Sequence, residues 1–332
     1  MLTLFLALQA ALPQRPAQLT QFLEQSIGFD ARQLAAIERG EAVVKVLETR
    51  DHRDVAVFGI ITTPVGREQY VQALRDFPTS LRTPGRTQLG VFSNPATESD
   101  VAAVTISSRD VADMKGCKPG DCVVKLPATD MRRIHDEMNW SASPADLQVQ
   151  LNAYARRRLV EYVTDYRRRG DSAMAIYDDR GNLNVHSSEA FAAQFVESPY
   201  IYQTVPSLRD YFATYPHGSL PGGAAEILFW SEDVMPHLRP ILSVTHLVVY
   251  TPPELPGMTL AAFKQIYANH YFEAAVDLTA VVDRNPGSYL VVLRRYRFDN
   301  LPGGILNIRG RAIGALRDQL TLDLRRQQTT GR

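Results

Sequence analysis

The chain has 332 residues, enough for one large domain or two small ones around a sizeable core. Its hydrophobic content of 45% is that of a globular protein and excludes bulk disorder. Acidic and basic residues balance at 36 each, and no basic run with interleaved aromatics outlasts a helix end, so nucleic acid and anionic lipid surfaces are not expected partners.

The first segment, residues 2–12 (LTLFLALQAAL), is almost wholly apolar and too short to span a bilayer. It matches the apolar region of a secretory signal, although a basic stretch ahead of it is missing. We read 1–12 as a leader, with Ala10 or Ala11 ahead of the cleavage point; a buried N-terminal helix is the alternative. Residues 13–326 then form a single α+β domain. Short helices follow over 16–28 and 30–39, the second capped by Asp30 and stopped by Gly40. Residues 43–47 and 55–62 read as a hairpin, and an amphipathic helix after Gly66 carries Tyr70, Val71, Leu74 and Phe77 on one side.

Residues 78–128 are rich in turns, with Pro84-Gly85 and Asn94-Pro95 as punctuation. The only two cysteines of the chain stand in Cys117-Lys-Pro-Gly-Asp-Cys122, where Pro-Gly is turn chemistry that brings the sulfurs together. Two thiols are too few for a structural zinc site, and a hairpin disulfide fits an oxidising compartment. A short helix runs over 129–138. The clearest helix starts at Ser143-Pro144, repeats Leu147, Leu151, Tyr154, Ala155, Leu159, Tyr162 and Tyr166 at three and four, and ends in Arg167, Arg168 and Arg169 before Gly170. Residues 178–182 resemble the start of a calcium loop but lack the downstream glutamate, so they read as a turn. Helices over 187–196 and 207–213 complete a largely helical insertion at about 78–215, and a disordered tail begins at 327.

The last hundred residues read as strands over 225–229, 241–250, 266–282 and 289–298, then a long helix from about 305 with Ile308, Ile313, Leu316, Leu320 and Leu324 on one stripe. Alternate strand residues face opposite sides. One parity of 241–250 gives Leu242, Val244, His246, Val248 and Tyr250. One parity of 266–282 includes Ile266, Ala268, His270, Phe272 and Ala274, and one of 289–298 gives Leu290, Val292, Arg294, Tyr296 and Phe298. Each apolar row thus carries one ionisable side chain. A polar spot inside an apolar pocket would explain their burial; satisfaction by neighbouring hydroxyls or carbonyls is the plainer explanation. His246, Tyr250, His270, Arg294 and Tyr296 are the candidate ligand-binding residues.

This order of strands, helix, sheet and closing helix resembles the helix-grip architecture of the START and SRPBCC superfamily. The resemblance rests on residues 43–77 and 225–324 and is one of topology, without a diagnostic motif. It implies a fold in which an antiparallel sheet is closed by a long C-terminal helix, and an apolar cavity between the two. Residues 265–272 (QIYANHYF) and 117–126 also resemble uncharacterised exported bacterial proteins. The expected function is a periplasmic or secreted protein that binds a lipid or another apolar small molecule, with no transmembrane span in the mature chain. The alternatives are an enzyme using the same cavity with His246 or His270 as general base, and a non-catalytic envelope protein with an unknown protein partner. The sequence holds no G-x-S-x-G, Walker A or H-E-x-x-H motif. No cofactor and no metal site are expected; His270 and Glu273 lack a third ligand.

Overall fold

A computed structural model describes residues 15–181, 183–220, 223–235, 238–300 and 308–329. The leader-like residues 2–12 lie outside the described residues. Eight strands form one antiparallel sheet: β1 (Val43–Leu47), β2 (Asp54–Thr63), β3 (Arg86–Val91), β6 (Ala225–Asp233), β7 (Ile241–Tyr250), β8 (Met258–Ala268), β9 (Phe272–Asp283) and β10 (Ser288–Phe298). Their order is β1-β2-β10-β9-β8-β7-β6-β3, so the sheet stays open rather than closing into a barrel. A separate hairpin, β4 (Ile176–Arg180) with β5 (Leu183–His186), belongs to the insertion.

The helices are α1 (Ala17–Gln21), which continues into a π-helical turn at Phe22–Ser26, α2 (Ala31–Glu38), α3 (Arg67–Arg75), α4 (Phe77–Ser80), α5 (Ser108–Met114), α6 (Ala128–Glu137), α7 (Pro144–Arg169), α8 (Ser187–Val196), α9 (Pro199–Thr204), α10 (Pro206–Thr214) and α11 (Ile308–Thr329). The expected α+β fold, a sheet with a C-terminal helix packed on it and a helical insertion, is what the chain adopts.

Three local readings change. Residues 86–91, read as turn-rich, form the edge strand β3 on β6. Residues 266–282 are not one strand: the chain turns at Asn269–Tyr271, where Tyr271 takes a positive φ of 62°, and returns as β9. The final helix continues past 327, with Gln328 Nε2 donating to the Gly40 carbonyl at 2.9 Å.

Both faces of the sheet are covered. On one, α11 lays Leu320 and Leu324 over Val57, Ile61, Leu290 and Val292, while Leu74, Phe77 and Leu81 of the α3–α4 segment cover Phe229, Leu247 and Val249. The fit under α11 is tight: a Cβ on Gly59 would stand 2.7 Å from Leu324 Cδ1. On the other face, Phe58, Val244, Val248, Leu260, Val276, Leu278, Val291 and Leu293 join the large core built by the insertion and the N-terminal helices.

Helix α7, the longest of the insertion, reaches that second face through Tyr162 and Tyr166. Ser143 Oγ accepts the Asp146 amide and Pro144 starts the first turn. Gly170 ends the helix at φ 58°, where a side chain would collide with the Tyr215 carbonyl. The predicted disulfide joins Cys117 and Cys122. Its loop is stitched to β4, with the Cys122 amide donating to the Asp179 carbonyl at 2.9 Å.

Candidate functional site

Strand register places three buried basic side chains in one transverse row on the insertion-facing side. His246 on β7 lies opposite Lys264 on β8, Lys264 opposite Val276 on β9, and Val276 opposite Arg295 on β10. His246 and Lys264 are fully buried and Arg295 is 1% exposed. Such groups are tolerated only with partners, and each has one.

His246 stands among rings: the centroid of Tyr215 is 4.6 Å away and that of Phe212 5.6 Å. The Tyr166 hydroxyl and His246 Nδ1 are 3.0 Å apart, and Nε2 is 3.4 Å from a Glu226 carboxylate oxygen. Burial lowers the imidazole below its ordinary value, although Glu226 pulls the other way. A neutral ring with the proton on Nε2 fits both contacts, donating to Glu226 and accepting from Tyr166. Burial raises Glu226, but hydrogen bonds from His246, Tyr211 and Tyr215 win and hold it below the usual carboxylate range.

Lys264 Nζ donates to Asp171 and lies 4.1 Å from the centroid of Phe191, a cation–π geometry. Burial lowers this ammonium while Asp171 acts against it. Arg295 is held by Asp54 at 3.3 Å, Glu197 at 2.5 Å and Ser198 at 3.0 Å, yet its Nε is buried without a partner.

Two cavities lie on this face, on opposite sides of the row. The larger, about 550 Å³, is lined by α6, α7 and the β7–β8 end that carries Leu242, Tyr267 and Asn269. Its tyrosines and Asp130 are committed within the protein. Tyr162 donates to the Ile266 carbonyl at 2.5 Å, Tyr267 to that of Lys125 at 3.3 Å, and Tyr154 to Asp130 at 3.1 Å, itself paired with Arg158 at 2.8 Å.

The smaller cavity, about 310 Å³, sits on the rows before the basic ones. Its floor is Leu260, Leu278, Ala280, Val291 and Leu293, and its roof comes from α1, the Phe22–Ser26 turn and α9. Tyr200 of α9 lines it, with a ring 6.4 Å from that of Phe22 and a hydroxyl that is buried without a hydrogen-bond partner. The exposed Gln18 and Asp283 mark its mouth.

The five candidate residues occupy three places. His246 and Tyr250 share the insertion-facing side, where the Tyr250 hydroxyl lies 3.2 Å from Ser207 Oγ. His270 sits in the β8–β9 turn, Nε2 3.2 Å from Asp110 and Nδ1 3.2 Å from the Val123 carbonyl. Glu273 turns elsewhere, to Arg53 and Arg297. Arg294 and Tyr296 lie on the opposite side of the sheet: Arg294 reaches Asp323 of α11 at 2.8 Å, and Tyr296, packed on Phe272, donates to Asp277 at 3.0 Å.

Sequence reasoning passed over Lys264, Arg295 and Tyr200. The first two were visible as single cations in the rows Met258, Leu260, Ala262, Lys264, Ile266 and Tyr289, Val291, Leu293, Arg295. Tyr200 carries no such signal. Compared with protein-family models, curated proteins and solved structures, the chain matches none.

Proposed function

We propose that the protein is an exported binder of an apolar small molecule, held in the 310 Å³ cavity between the insertion-facing sheet and helices α1 and α9. The observation that carries this reading is a pocket of ligand size with a mostly apolar lining, where Leu260, Leu278, Val291 and Leu293 of the sheet lie beneath Leu19, Phe22 and Ile201. The 550 Å³ cavity is the weaker candidate, because its lining is more polar and its tyrosines already bond to Asp130 and the backbone.

The helix-grip superfamily offers a parent architecture, with the same order of sheet and closing helix. Here the leucines of α11 fill the space against the sheet, so the ligand belongs on the other face. The disulfide and the leader-like 2–12 support export to the periplasm or medium. Among the described residues no helix is long and apolar enough to cross a membrane. The general-base alternative gains nothing from the geometry, since both His246 nitrogens are occupied and the ring is fully buried.

Native mass spectrometry of protein recovered from a bacterial host, before and after organic extraction, tests the reading. A mass excess that extraction removes is expected. A bare chain that also fails to take up added decanol or decane would overturn it.

A further inference from the structure

The lining that makes the 550 Å³ cavity a poorer home for an aliphatic chain suits a different occupant. Tyr154, Tyr162 and Tyr267 line it, the last two with ring centroids 5.9 Å apart. Their hydroxyls are tied to Asp130 and to backbone carbonyls, so what they offer an occupant is ring surface.

Asn269 lines the sheet end of this cavity, in the turn between β8 and β9, and is 6% exposed. Its backbone amide donates to the Leu242 carbonyl at 3.0 Å, and its carbonyl accepts the Lys125 amide at 2.8 Å. Oδ1 accepts the Leu242 amide at 2.8 Å, which fixes the carboxamide, because only its oxygen can accept from an N–H. Nδ2 is left as a donor of two hydrogens. It has no partner among the described residues, nor is it one of the unpaired atoms that the fold closes to water.

No other enclosed side-chain donor of the lining is free. The tyrosines are used, and Arg158 donates to Asp130 at 2.8 Å and to Glu161 at 2.5 Å. Thr129, Arg132, Arg169, Ser172 and Asn184 are exposed at the rim, where water serves them whether or not the cavity is filled. An occupant without an acceptor would strip water from Nδ2 and leave it unpaired, at a cost of about 1–3 kcal/mol. An occupant whose acceptor reaches Nδ2 avoids that cost.

We infer that Nδ2 of Asn269 faces into the 550 Å³ cavity and makes it a second binding site, for a flat ring-bearing molecule whose leading end carries a hydrogen-bond acceptor such as a carbonyl. This site is separate from the 310 Å³ cavity and does not depend on the reading of that cavity.

The test is equilibrium dialysis of the full chain with acetylnaphthalene and with ethylnaphthalene, which keeps the rings and lacks the acceptor. Asn269→Asp keeps an oxygen for the Leu242 amide and puts a carboxylate oxygen where the donor was. The ratio of ketone to hydrocarbon affinity, in which the general effects of the new charge cancel, should fall about ten-fold. The carbonyl stretch of the bound ketone reads the same bond in wild type, and should lie below its value in hexane. Ala155→Trp, which puts an indole into the cavity, should abolish binding of both compounds, and Ala280→Leu in the other cavity should leave both bound. An unchanged ratio, or a carbonyl stretch equal to that in hexane, would mean that Nδ2 does not meet the acceptor, and the inference fails. Binding that survives Ala155→Trp and is lost in Ala280→Leu would place the compounds in the 310 Å³ cavity and refute the second site. A wild-type chain that binds neither compound refutes it as well.

Discussion

The two faces of this sheet are covered by the same kinds of residue and solve different problems. Under α11 a leucine stripe meets Val57, Ile61, Leu290 and Val292, and Gly59 lets the helix come so close that Leu320 and Leu324 fill the space over it. On the opposite face the roof of the smaller cavity is assembled from short pieces, with α1 of five residues and α9 of six. Short elements cannot follow a twisted sheet over its whole width as one long helix can. What they leave is the 310 Å³ cavity, parted by the row of buried basic side chains from the 550 Å³ cavity under α6 and α7. The difference teaches that the closing helix clamps the fold, while the inserted and N-terminal elements make the space a ligand can use.

The largest effect that would break this contrast concerns the row. Asp171 is the counter-charge of the fully buried Lys264 and is itself about one-third exposed. Asp171→Ala should therefore cost about 3–5 kcal/mol in denaturant unfolding, because the lysine stays buried without its partner. Lys264→Met leaves a solvated carboxylate and should stay within about 1 kcal/mol of wild type. Equal losses in the two variants would mean that the row is held by packing and not by charge.

Next in size is the clamp. Leu324→Ala should cost about 3 kcal/mol and leave octanol binding unchanged. Gly59→Ala forces a methyl against Leu324 and Leu320 and should cost about 1–3 kcal/mol. A loss of binding in Leu324→Ala, with stability intact, would move the ligand to the α11 face. The cavity face answers in the opposite sense. Ala280→Leu adds volume into open space, so stability should change by less than about 1 kcal/mol while octanol binding is lost.

The smallest expected effect is a pH slope. Burial pushes the Asp54 carboxyl from 3.8 up to about 6, against the pull of Arg297 and Arg295. Between about pH 4 and 6 the folded chain holds a proton that the unfolded chain has already lost. This group's contribution to stability therefore falls as pH rises through that window. Asp54→Asn should remove that part of the slope in unfolding curves taken from pH 4 to 7, and an unchanged slope would assign it to other groups.

Much of the frame was legible in the residues. Ser143-Pro144 and Gly170 bound α7, Pro-Gly marks the disulfide loop, and the alternation in 241–250 puts His246 and Tyr250 on one side. What failed did so for physical reasons. The β8–β9 turn has neither Gly nor Pro at its tip, since Tyr271 itself takes the positive φ, so the two strands read as one and Lys264 was never aligned with His246. β10 is covered on both faces, so alternation could not tell the side of Arg294 from that of Arg295. The cavity depends on how α1 and α9 meet the sheet, which no local pattern records.

The most direct test of the claim that the ligand lies on the insertion side is a crystal structure of the protein soaked with bromine-labelled octanol, located by the anomalous signal of the bromine. The account predicts chain density over Leu260, Leu278 and Leu293, beneath α1 and α9. Density between the sheet and α11, with the cavity under α9 empty, would contradict it.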